Sequence, residues 1–116
     1  MEIKSELIDN AMIIKIVGLL DASNYKFCED TIQSHIQEGT RNMVFNLQDL
    51  EYMSSAGVRV FIKTYRSLSA QRGHMAFSCL QPFVREIFEV AGLIPEFQIF
   101  LDNEGAIKSF TSSDND

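Results

Sequence analysis

No apolar run in this chain approaches the length needed to span a bilayer, so a membrane-embedded protein is excluded from the start. Cysteine is scarce. Cys28 and Cys79 are the only two, each in an apolar-patterned segment, which points to buried reduced thiols rather than a disulfide framework. There is no CxxC and no Cys/His spacing of the kind that holds zinc, so no metal is expected. Positive charge is also in deficit. Lys and Arg number 10 against 16 Asp and Glu, a formal charge of -6, and a nucleic-acid binder needs a clustered cationic surface to release counterions. Nucleic acid is therefore not an expected partner. The opening MEIKSELIDN is charged and has no secretory apolar stretch, so the expected location is cytoplasmic. Internal repeats and linkers are absent as well.

What is present is ordinary globular composition, with 46% apolar and 22% charged residues in 116 positions, enough for one domain with one core. Two extended runs, Glu2 to Asp9 and Ala11 to Gly18, flank the Asp9-Asn10 pair and predict a β-hairpin. In the second run only Lys15 interrupts Met12, Ile13, Ile14, Ile16 and Val17, as in a central strand covered on both faces. Gly18 breaks it. Asp21 and Ser23 are candidate N-caps for a helix to about Glu38 with the stripe Cys28, Ile32, Ile36, ended by Gly39.

Asn42 to Leu47 predicts a third strand and Gln48 to Tyr52 a polar loop. A second helix starts near Ser55, with an inward stripe of Val58, Phe61, Ile62, Tyr65 and Leu68, a basic outer face of Arg59, Lys63 and Arg66, and Gly73 as its C-terminal cap. His74 to Cys79 alternates as a strand. Pro82 opens a helix carrying Phe83, Val84, Ile87, Phe88 and Ala91; Phe97 to Leu101 reads as a fifth strand and Asn103 to Phe110 as a last helix. The expected fold class is α/β: a mixed sheet of about five strands with about four helices packed on it, spanning residues 1–111, followed by an acidic tail at 112–116 with nothing to pack.

Chemistry concentrates where a strand end passes into a helix, at Asn46 to Gly57, the place where α/β sheets put binding sites. A serine there has an ordinary role, since its oxygen can cap free N–H groups. The alternative role is as a phosphate acceptor, because those same N–H groups and the helix dipole favour an anion. A phosphate beside Asp21, Asp49 and Glu51 would repel an acidic partner. Catalysis by Ser54 or Ser55 is not expected: a nucleophile elbow needs glycine where Met53 stands, His35 and His74 sit in helix-surface and strand-start positions, and no phosphate-cradling glycine loop occurs.

Tyr52-Met53-Ser54-Ser55-Ala56-Gly57, following Asn46-Leu47-Gln48-Asp49-Leu50, resembles the signature of the STAS domain of bacterial anti-sigma factor antagonists. Val17 to Asp21 is similar to the family's Gly-x-Leu-Asp turn, and Val84 to Leu93 to its third-helix segment ending in Gly-Leu. The resemblance implies a partner switch: unphosphorylated, such a protein binds an anti-sigma factor serine kinase and frees a sigma factor; phosphorylated, it lets go and is reset by a PP2C-like phosphatase. It implies no cofactor and no enzymatic activity of the chain's own. It places the phosphoserine on Ser55, with Ser54 as second choice, standing where the family carries aspartate. Partner contacts are implied at Asp21, Asp49, Tyr52, Met53, Ser54, Ser55, Ala56, Gly57 and Arg59. Arg59 replaces a frequent glycine and Leu19 a frequent acidic residue. The alternative is a STAS subunit that is never phosphorylated, part of a lipid-transport ATPase complex or a stress-sensing scaffold.

Overall fold

The computed structural model describes residues 1–93 and 97–114, with side chains described as far as Phe110. The hairpin forms as its turn residues dictate: Asp9 and Asn10 both take positive φ, 49° and 68°, the left-handed pair that a tight two-residue hairpin turn requires. It joins β1 (Glu2–Ile8) to β2 (Ala11–Leu20). The other elements are α1 (Tyr25–Gln37), β3 (Asn42–Asn46), β4 (Leu50–Met53), α2 (Ser55–Ala70), β5 (His74–Ser78), α3 (Pro82–Val90), β6 (Gln98–Phe100) and α4 (Asn103–Asp114). The sheet runs β1-β2-β3-β5-β6, antiparallel only at β1-β2, with β4 added in parallel to the end of β2.

Strand alternation divides the core. Ile14, Phe45 and Phe77 lie in register on one face, beneath α1, α2 and α3. Ile13, Val44 and Ala76 lie on the other, beneath Ala106 and Phe110 of α4. Four fully buried rings, Phe45, Phe61, Phe77 and Phe88, stand edge-on or tilted to one another at the centre of the larger face, and Phe97 closes the group. The stripe Cys28, Ile32, Ile36 is buried as its spacing predicts. Burial pushes the Cys28 thiol up to about 12, so it stays protonated at neutral pH. Native protein is accordingly expected to leave Cys28 unmodified by a thiol reagent that labels both cysteines after unfolding; rapid native labelling of Cys28, mapped by mass, would contradict this burial.

Several expectations are corrected. Part of the loop Gln48 to Tyr52 is strand: β4 buries Leu50 and Met53 and exposes Glu51 and Tyr52, a spacing of three that hides the usual alternation. Among the described residues the sheet thus has six strands. β2 does not stop at Gly18 but passes through it at φ +100°, with a register shift there that lets Leu19 and Leu20 pair with β4. Asn24, not Asp21 or Ser23, is the N-cap position of α1; Asp21 instead accepts the Ser23 N–H and hydroxyl, which hold its carboxyl below the usual carboxylate range. The left-handed residue closing α2 is Arg72 (φ 61°), followed by Gly73, whose N–H reaches the Leu68 carbonyl. Gly73 is needed for space, since a Cβ there would collide with the Arg41 carbonyl. Besides the predicted stripe, α2 buries Val60 and Thr64, because α1 packs along its other flank, while Ile62 and Tyr65 are half-buried. With neither glycine nor proline after Phe110, α4 continues to Asp114, through most of the segment expected as a tail; residues 115–116 lie outside the described residues.

Candidate functional site

The parallel β2-β4 pair builds the site. Leu20 ends β2 and its carbonyl accepts the Ser54 N–H at 2.9 Å, which ties the start of α2 to the turn carrying Asp21. Gly57 makes this closeness possible: a Cβ would stand 2.7 Å from Met53 Cγ and 2.9 Å from Leu20 Cγ, both in fully buried side chains. Overpacking of about 1–3 kcal/mol outweighs the roughly 1 kcal/mol that alanine gains over glycine in a helix. Gly57→Ala is therefore expected to lower the melting temperature, and a rise would show that this junction has slack.

At the start of α2 the two serines differ. Ser54 is the N-cap residue, in extended conformation (φ -92°, ψ 176°), and its carbonyl receives the Val58 N–H at 3.1 Å. Its side chain makes no capping bond; Ser54 Oγ is buried without a hydrogen-bond partner among the described residues. The ordinary role of a helix-start serine is thus unfilled, and the first-turn N–H groups lack a side-chain acceptor. Ser55, the first residue of the helix, is exposed.

Ser55 stands on an open groove of about 790 Å³ between α2 and α3. Tyr52, Met53, Ser54, Ser55, Val58 and Arg59 form one wall. Phe83, Glu86, Ile87, Val90 and Ala91 of α3 form the other, with Val90 84% exposed. The sequence reading had not assigned the α3 wall to the site. The signal available was Val90, an apolar residue outside the buried stripe Val84 and Phe88. Leu19, opposite Tyr52 in the β2-β4 register, adds apolar surface: the two are 47% and 50% exposed. A groove this apolar and open can accept side chains of another protein.

Not every expected contact residue lines that groove. Ala56 faces instead a second groove, of about 450 Å³, between α1 and α2, which Arg59 also lines, together with Tyr25, Glu29, Lys63 and Arg66. The basic outer face of α2 is therefore real, and only Lys63 is compensated there, by Glu29 at 3.4 Å; Arg59 and Arg66 form no ion pair among the described residues. Gly57 is buried beneath the helix. Asp49 lies in a separate concavity with Gln48 and Glu51 and pairs with Lys15 at 2.8 Å. That carboxylate's hydrogen bond and charge raise the lysine's pKa. Its charge is thus locally offset, whereas Asp21 has no cationic side-chain partner among the described residues. Neither a group of three potential metal ligands nor a helix long and apolar enough to cross a membrane occurs among the described residues.

Comparison with known proteins follows the same lines. A Bordetella bronchiseptica protein provisionally named anti-sigma factor antagonist BtrV is 29% identical over 113 residues, 97% of each chain. Two solved structures share the fold: an anti-sigma factor antagonist from Mycobacterium paratuberculosis (TM-score 0.85, 19% identity, covering 93% of this chain and 92% of that one), and the phosphorylated form of the Bacillus cell fate determinant SpoIIAA (TM-score 0.74, 24% identity, covering 94% and 99%). The model of the STAS domain matches residues 2–106. With that match across the whole sheet, α1, α2, α3 and the first turn of α4, the chain belongs to the STAS domain family.

Proposed function

We propose that this protein is an anti-sigma factor antagonist that works by partner switching in the cytoplasm. Unphosphorylated, it binds an anti-sigma factor serine kinase through the α2-α3 groove and the neighbouring Leu19-Tyr52 surface, and so releases a sigma factor. Phosphorylation of Ser55 ends the interaction, and a PP2C-like phosphatase restores it. The chain is the substrate of both enzymes and catalyses nothing itself. The observation that carries this reading is the exposed Ser55 hydroxyl at the uncapped start of α2, on the wall of an open apolar groove. Relatives named as anti-sigma factor antagonists, and a similar fold solved in a phosphorylated form, support it.

Of the two serines, Ser55 is the acceptor because a kinase must reach the hydroxyl, and Ser54 Oγ is buried. The phosphate adds roughly -1.5 to -2 charges. It does so on the groove that holds Glu86 and next to the turn with Asp21. The N–H groups of the first turn stabilise it on this chain, while a partner entering the groove must strip water from a charged group where it met a neutral hydroxyl.

Mg-ATP and a soluble extract of the source organism, tested for activity on a known partner-switch pair, provide the experiment. A single added phosphate in the intact mass, lost in Ser55→Ala and kept in Ser54→Ala, is the expected result. Phosphate that persists in Ser55→Ala would move the acceptor elsewhere. None at all, with the control pair working, would leave the alternative of an unphosphorylated STAS subunit.

A further inference from the structure

Arg59 stands where the two grooves meet, lining both the one between α2 and α3 that contains Ser55 and the one between α1 and α2 that contains Lys63 and Arg66. It is exposed and makes no ion pair among the described residues. Ser55 and Arg59 are four residues apart on a helix of 16 residues, which sets their Cβ atoms about 5–6 Å apart on one face. The spacing is that of an i, i+4 pair, and the anion at its N-terminal member suits the helix dipole. Beside them, Ser54 Oγ is a buried hydroxyl in the same wall with no partner, a further donor next to any anion held at this helix start.

We propose that Arg59 is the residue by which this chain reads its own phosphate: phosphoserine at position 55 captures the Arg59 guanidinium in a charge-assisted pair within α2. Arginine suits this role because its planar fork donates two parallel N–H bonds to phosphate oxygens and it stays charged at all relevant pH. The pairing acts on two surfaces at once. In the α2-α3 groove it brings the guanidinium over the phosphate, filling space that a partner would otherwise enter. In the α1-α2 groove it withdraws one of three cations, leaving Lys63, already paired with Glu29, and Arg66. One modification then alters both grooves, although no element of the fold moves. This deepens the reading of Ser55 as the switch and rests on it.

The test does not depend on any kinase, because phosphoserine can be installed at position 55 by genetic encoding; failure of the kinase reading and failure of the Arg59 reading are therefore separate results. The phosphate is titrated by phosphorus NMR in the full chain and in Arg59→Gln, Arg59→Lys and Arg66→Gln, each first checked for native circular dichroism. Glu86 is the other charged side chain lining the α2-α3 groove besides Arg59, Asp21 is the nearby acidic residue of the β2-α1 turn, and Glu29, Lys63 and Arg66 line the adjoining groove; all are present in every variant except Arg66 in its own. A cation on the phosphate favours the dianion, so the second phosphate pKa is expected to be lower in the wild type than in Arg59→Gln by about 0.5 unit, partly restored in Arg59→Lys and unchanged in Arg66→Gln. Equal values in the wild type and Arg59→Gln overturn the proposal. So does an equal rise in Arg59→Gln and Arg66→Gln, which would mark a diffuse loss of positive charge rather than a pair.

Discussion

Phosphoserine at position 55 is expected to weaken the complex with the anti-sigma factor by about 2–5 kcal/mol, roughly 30-fold to several thousand-fold in Kd, the cost of burying a charge against a surface shaped for a neutral hydroxyl. The estimate follows from placement. Ser55 is exposed on the groove wall, within reach of whatever fills the space between α2 and α3. Titration calorimetry of the two forms against the same anti-sigma factor measures it directly. Ser55→Ala is expected to bind within a few-fold of the unphosphorylated protein, because it removes only one exposed hydroxyl. Truncating the opposite wall with Val90→Ala and Ile87→Ala tests whether α3 belongs to the interface; unchanged affinity would confine the contact to α2 and β4.

A second large effect lies in the core. Phe77 touches the rings of Phe45, Phe61, Phe88 and Phe97, with centroid separations of 5.8, 5.1, 5.0 and 5.0 Å, and joins β5 to α2 and α3. Phe77→Ala opens a cavity that the surrounding rings cannot close, at a cost of about 3–5 kcal/mol, a large fraction of the ~5–15 kcal/mol that keeps a domain of this kind folded. Thermal unfolding followed by circular dichroism is expected to show a melting temperature lower by at least ~10 °C. A loss near 1 kcal/mol would mean that the aromatic cluster repacks. Since α2 and α3 sit on this cluster, Phe77→Ala is also expected to blur the groove before the chain unfolds fully.

The elements that sequence made legible are those with one dominant local cause. Asp9-Asn10 sets the hairpin because both residues tolerate the left-handed region they occupy. Cys28, Ile32 and Ile36 mark α1 because one face of that helix is buried. β4 was illegible because its partner is the far end of β2, reached only through a bulge at Gly18, and its buried residues are three apart. α2 was half legible: a helix buried on two flanks has a wider apolar face than a single stripe, and Val60 and Thr64 fall in the part set by α1.

The site divides in the same way. The motif Tyr52 to Gly57 marked the helix start, but the contrast between a buried Ser54 Oγ and an exposed Ser55 depends on the hydrogen bond between the Ser54 N–H and Leu20, 34 residues earlier in the chain. The α3 wall depends on a crossover through β5, which no local pattern encodes. Asp49 looked like part of one acidic cluster with Asp21 and Glu51; its pairing with Lys15 is a long-range fact that sets it apart.

The most direct test of the account is a displacement assay with the anti-sigma factor of the source organism, bound to its fluorescently labelled sigma factor. Unphosphorylated protein is expected to release the sigma factor in a concentration-dependent way, and protein carrying phosphoserine at position 55 to release little at the same concentrations. Release that is equal for the two forms, or absent for both while the anti-sigma factor remains active, would contradict the switch.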